Sequence, residues 1–131
     1  MFKTLKDMLS AATGAVPRIS VADAQRKIAE NEAVLIDVRE MNEVANTGKA
    51  AGALHISRGM LEFKADPASP MFEKALRKDR PVILYCASGG RSSLAGKRLK
   101  DMGYEEVYNL GSIKDWAEAG GKIDHPLDAG M

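Results

Sequence analysis

The chain has a single cysteine and only two histidines among its 131 residues. One thiol rules out an internal disulfide and fits a reducing compartment, here taken as the cytoplasm. One Cys with two His also falls short of the four ligands of an ordinary structural zinc site. Neither sign of charge is in excess: 19 Lys and Arg against 18 Asp and Glu leave +1 at pH 7. That argues against bulk electrostatic capture by nucleic acid or an anionic membrane. No run approaches the roughly 18–20 apolar residues of a membrane span. Internal repeats, low-complexity tracts and linkers are missing, and no Gly-rich Walker-type loop with its Gly-Lys-Ser/Thr ending is present to cradle a nucleotide phosphate.

What remains is the composition of an ordinary globular domain, 45% apolar and 28% charged. The length suits one domain with a core that needs no staples. In residues 1–17, Lys3, Lys6 and Asp7 precede an apolar block, Met8 to Val16, diluted by Ser10, Thr13 and Gly14. This predicts a short amphipathic or frayed arm rather than an export signal. Pro17 breaks the arm from a domain over 18–131.

Two near-continuous apolar runs, Ala33 to Val38 and Val82 to Cys86, read as strands buried on both faces. Ala53 to Ile56 and Glu106 to Leu110 are further strand candidates. Helices are expected from a Ser20/Asp23 capping box to about Glu30, in a short piece over Glu40 to Ala45, and in a turn over Arg58 to Lys64. Further helices are expected over Met71 to Lys78, from about Arg91 to Met102-Gly103, and over Ser112 to Ala119. Gly48 to Gly52 reads as a loop. Strands alternating with helices predict an α/β domain with a mostly parallel sheet, whose ligands bind beyond the carboxyl ends of the strands.

The chain is organised around Val82-Ile83-Leu84-Tyr85-Cys86-Ala87-Ser88-Gly89-Gly90-Arg91-Ser92-Ser93. A buried strand ends in the lone cysteine, a small-residue loop follows, and a helix opens near Arg91 or Ser92. Such a loop turns unpaired N–H groups into its own concavity. Amide dipoles, a helix N-terminus and a guanidinium all favour an anion, so the Cys86 thiol is expected below its reference of about 8.5. The residues describe a nucleophilic thiolate at the bottom of an anion cradle. An inert buried cysteine is the bland alternative. Asp37, near the end of its strand, needs a partner if buried, either loop amides or Arg39. Ser88, Ser92 and Ser93 suit helix capping as well as substrate contact. His55 reads as a satisfied, half-buried histidine, with a base role as the alternative. Trp116 reads as core. The Lys97, Arg98 and Lys100 cluster reads as a solvated face, or as a dock for an acidic protein.

These stretches together resemble the rhodanese-like single-domain sulfurtransferases. Leu35-Ile36-Asp37-Val38-Arg39-Glu40, Gly52-Ala53-Leu54-His55-Ile56, Cys86 to Ser92, and Met102-Gly103-Tyr104 through Gly111 with Trp116 are similar to that family's signatures, in its order, over residues 18 to 121. Arg58 to Phe63 resembles a bacterial subset. The family's Gly-His-Ile-Pro-Gly stands here as Gly48-Lys49-Ala50-Ala51-Gly52, which predicts a looser loop there.

The resemblance implies a central, mostly parallel five-stranded sheet with helices on both faces. It implies a Cys86 persulfide loaded from a donor such as thiosulfate and unloaded to a thiol or cyanide, with no cofactor and no metal. The N–H groups of Ala87, Ser88, Gly89, Gly90, Arg91 and Ser92 would hold the persulfide, with Arg91 first and Arg58 second as cations at the mouth. Asp37 and Arg39 would support the site. No second cysteine resolves the persulfide, so the acceptor comes from outside. Two rivals are a persulfide carrier or interaction module serving a protein partner, and a Cys-dependent phosphatase or arsenate reductase. The phosphatase reading requires Cys-x5-Arg, whereas this loop has Cys-x4-Arg.

Overall fold

The computed structural model describes residues 2–125, so the last six residues of the expected domain span lie outside it. Strands β1 (Val34–Asp37), β3 (Leu54–His55), β4 (Val82–Cys86) and β5 (Val107–Ser112) form one parallel sheet in the order β3-β1-β4-β5. The α/β class is as expected, but among the described residues the sheet holds four strands rather than five. Among the described residues, its edge at β5 meets a single parallel bridge between Arg18 and Asn109. The two remaining short strands, β2 (Lys49–Ala50) and β6 (Ile123–Asp124), pair antiparallel as a separate ribbon. The segment expected as a loose loop is therefore partly a strand. Backbone pairing with residues more than seventy positions away holds it.

β1 and β4 are buried along their whole length because both faces of the sheet are covered. Alternation sorts the side chains. Val34, Ile36, Val38, Val82, Leu84 and Cys86 point into one apolar cluster. Leu35, Ile83, Tyr85 and Leu110 point into the other. The first cluster is closed by α4 (Leu61–Ala65), α5 (Gly90–Asp101) and Val16, which follows α1 (Leu5–Ala15). The second is closed by α2 (Val21–Asn31) and α6 (Ile113–Glu118), including Trp116.

The N-terminal arm is a docked helix. Thr4 and Asp7 cap α1 reciprocally, at 3.1 and 3.0 Å, and Ala12 and Val16 are buried. Ser20 caps α2 by accepting from the Asp23 N–H, while the Asp23 carboxylate turns to Arg26, so only half of the expected box forms. Between Glu40 and Gly48 the chain forms α3 (Met41–Thr47). The expected helix over Met71 to Lys78 is instead a chain of turns. Only Leu76 is fully buried there, and Glu73 accepts from the Ala75 N–H with its side chain, competing with a helical ladder.

Candidate active site

Cys86 ends β4 at the carboxyl edge of the sheet, and the loop Ala87–Gly89 carries the chain into α5. Gly89 has φ +101°, a conformation open to glycine, and this turns its N–H back onto the Cys86 sulfur at 3.0 Å. Gly90, Arg91 and Ser92 begin the helix, where N–H groups have no intrahelical acceptor. The side chain of Cys86 is wholly buried, and burial pushes its thiol up. The Ser92 hydroxyl and the N–H groups of Ser92, Ser88 and Gly89 outweigh that and hold the thiol below the ordinary cysteine value. Burial in hydrocarbon alone would have had the opposite effect. Ala87 and Ser88 are exposed, so the loop has an open side.

Arg91 is gripped by Glu43 of α3 through two parallel bonds, Nη1 to Oε1 at 2.6 Å and Nη2 to Oε2 at 2.9 Å. The pair holds the Glu43 carboxyl down at about 2 and pushes the Arg91 guanidinium up, to which the nearby Cys86 sulfur adds. Arg58, the second cation expected at the mouth, is bound instead to Glu62 at 3.0 and 3.3 Å. It faces a groove of about 440 Å³ lined also by Lys3, Met8, Leu94 and Lys97, between α1 and α5. The structure brings Cys86, Ser88, Gly89, Arg91 and Ser92 together, while Arg58 is paired with Glu62.

Asp37 and Arg39 form the expected buried pair. The Asp37 carboxylate accepts from the Arg39 N–H, Nε and Nη2 at 2.8–3.1 Å, and both side chains are buried. Arg39 donates onward to Thr47 Oγ1 and the Gly48 carbonyl, tying β1 to the end of α3. His55 Nε2 donates to the Arg39 carbonyl at 2.7 Å, so it serves as a structural histidine. Lys97 pairs with Asp101 and Arg98 with Glu62, while Lys100 bonds the Glu105 carbonyl, which makes that cluster a self-satisfied helix face. Among the described residues, no three His, Cys, Asp or Glu side chains converge as a metal ion would need.

Three partners of the site went unread in the sequence. Glu43 is one. Asn109 is another: its Nδ2 donates to the Gly89 carbonyl at 3.1 Å, and its Oδ1 accepts from the Gly111 N–H and the Ser92 hydroxyl. Asn109 faces the loop by strand alternation, two residues after Val107 and in register with Leu84 on the Cys86 side of the sheet. Tyr85 is the third; its hydroxyl accepts from the Ala50 N–H, and burial, then Asp37, pushes it up. A buried Asn and a buried Tyr hydroxyl were the available signals, since such groups must find partners.

The family profile described as Rhodanese-like domain matches residues 20–119. The chain belongs to the rhodanese-like family. Relatives of this rhodanese-like domain include the uncharacterized protein YqhL of Bacillus subtilis (strain 168), 40% identical over 93 residues, which is 70% of this chain; the match takes in 64% of that relative's length. A solved protein of unknown function from Rhodopseudomonas palustris CGA009, described as a possible tyrosine phosphatase, is 35% identical with a TM-score of 0.84, over 95% of this chain and 96% of its own. The polysulfide-sulfur transferase homodimer of Wolinella succinogenes is 31% identical at a TM-score of 0.71, over 96% and 92%. The human single-domain sulfurtransferase TSTD1 is 25% identical at 0.69, over 79% and 96%. Among the described residues no helix is long and apolar enough to cross a membrane.

Proposed function

We propose that this rhodanese-like domain moves sulfane sulfur from a small donor to an external thiol or cyanide through a persulfide on Cys86. The observation that carries this is the Gly89 N–H set 3.0 Å from the Cys86 sulfur, with Ser92 behind it. The Cys86 thiolate attacks the outer sulfur of thiosulfate. A new S–S bond forms, the donor's S–S bond breaks, and its electron pair leaves with sulfite. The persulfide anion then sits among the N–H groups of the Ala87–Ser92 loop, where each charge-assisted bond contributes roughly 1.5–3 kcal/mol. Cyanide attacks the outer sulfur, thiocyanate leaves, and the thiolate returns. Protons and electrons balance in both steps without a cofactor. The lone thiol works where thiols stay reduced, and we place it in the cytoplasm.

The test is intact mass after exposure to thiosulfate. The expected result is a gain of one sulfur atom, lost in Cys86→Ser and reversed by cyanide. No gain in a folded protein with a free thiol would overturn the reading. If sulfur loads but passes only to a protein thiol and never to cyanide, the domain is a carrier.

The phosphatase reading draws on the description of the Rhodopseudomonas palustris neighbour. Here Cys-x4-Arg gives a loop one residue shorter than Cys-x5-Arg, and the guanidinium fork that would clasp a phosphoryl group is occupied by Glu43. Turnover of an aryl phosphate, lost in Cys86→Ser, would establish it.

A further inference from the structure

Arg91 is the only cation the cysteine loop carries, and its charge is cancelled in place. Glu43 meets it with both carboxylate oxygens, and Oε1 also accepts from the Glu40 N–H at 2.9 Å, which anchors the carboxylate to the first turn of α3. Its low pKa keeps Glu43 ionised at any working pH, so the pair contributes no net charge beside the sulfur. The other ion pair at this end of the sheet, Asp37 with Arg39, is equally self-compensated. What faces an incoming donor is therefore a set of dipoles, the N–H groups of Ser88, Gly89 and Ser92 and the Ser92 hydroxyl, beside a guanidinium whose charge Glu43 offsets. Those dipoles already stabilise one negative charge, on the thiolate. A thiosulfate dianion brings two more into the same space. An organic hydropersulfide brings at most one.

We propose that Glu43 sets the donor specificity of the Cys86 site: by neutralising Arg91 it favours donors that present at most one negative charge, of the organic hydropersulfide class, over dianionic ones. This deepens the persulfide reading above and rests on it. In the favoured step the Cys86 thiolate attacks the outer sulfur of R–S–SH. The bond to Cys86 forms, the R–S–S link breaks, and RS⁻ leaves with the electron pair. The proton stays with the transferred sulfur until solvent takes it. Glu43 touches neither sulfur; it acts through Arg91, as a positioning residue.

The test compares Cys86 loading rates, followed by intact mass, for thiosulfate and 2-hydroxyethyl hydropersulfide. The proteins are the full chain, Glu43→Gln, which keeps the shape and the cap, and Glu43→Ala, which also removes the hydrogen-bond partner of Arg91. Both rates come from one preparation, so their ratio does not depend on how much of a variant folds. The expected result is a thiosulfate-to-hydropersulfide ratio about tenfold higher in both variants at low salt, one extra unit charge being the difference. The gain shrinks as salt is raised. The pH profile of Cys86 alkylation should also move to lower pH, because an uncompensated Arg91 favours the thiolate, and a purely structural role for Glu43 would not do this. An unchanged ratio in variants that still load sulfur overturns the role of Glu43 alone. A native chain that takes sulfur from neither donor overturns the persulfide reading and this one with it.

Discussion

The Ser92 hydroxyl lies 2.8 Å from Asn109 Oδ1, 3.2 Å from the Gly89 carbonyl and 3.5 Å from the Cys86 sulfur, so one proton stands among three acceptors. A hydroxyl has one proton to give, and the nearest, the amide oxygen, holds it while Cys86 is a neutral thiol. Ionised, the sulfur becomes the stronger acceptor. Asn109 also grips the Gly89 carbonyl, so the residue that competes for the proton fixes the loop as well.

Removing that hydroxyl should weaken the thiolate. Cys86 is held below the ordinary cysteine value against burial, and Ser92 supplies the largest of the opposing effects. In Ser92→Ala the thiol pKa rises, so the fraction of thiolate at neutral pH falls. The rate of iodoacetamide alkylation against pH should move to higher pH, the reverse of the shift expected for Glu43→Gln. Unfolding free energy should fall by about 0.5–1.5 kcal/mol, because Asn109 Oδ1 loses one of its two donors and keeps the Gly111 N–H. An alkylation profile that coincides with the native one would refute this account of the thiol.

Asp37→Asn should be among the most damaging single changes in the chain. It leaves the buried Arg39 guanidinium without its countercharge, and breaking a buried pair in this way costs about 3–5 kcal/mol. The expected outcome is a chemical-denaturation midpoint far below the native one, or no soluble protein. Asp37→Asn combined with Arg39→Leu should recover part of the loss. A midpoint within error of the native value for the single variant would show that the pair carries no stability.

Gly96 is the contact point between α5 and the end of α1. A Cβ there would lie 2.9 and 3.0 Å from the two methyls of Val16 and 3.3 Å from a methyl of Val107. Gly96→Ala gains helix propensity but overpacks this contact, and the overpacking should win by about 1–3 kcal/mol. Val16→Ala in the same chain should relieve the strain, so the double variant should be more stable than the two single losses predict. Thermal melts of the four proteins check it; strict additivity would place the clash elsewhere.

Much of the site was legible because its chemistry is local. A buried run, a cysteine, two glycines and a helix start follow one another within a dozen residues, and backbone geometry alone turns the amides onto the sulfur. The Asp37–Arg39 support is likewise two residues apart and could be expected from the burial of a charge. The helix expected over Met71 to Lys78 failed because charged, weakly anchored residues left side chains free to bond their own backbone. The docking of α1 was hidden because an amphipathic segment does not announce what it packs against.

By itself, the order of residues determined an α/β domain with a single anion-stabilised thiol at the carboxyl end of a central strand, since strand burial, glycine conformation and helix-end dipoles are properties of adjacent residues. Only the tertiary structure decided the charge beside that thiol and the proton behind it. Glu43 reaches Arg91 across 48 positions of chain and Asn109 reaches Ser92 across 17. Such pairings depend on how α3 and β5 come to lie against the loop, which packing, and not local pattern, dictates.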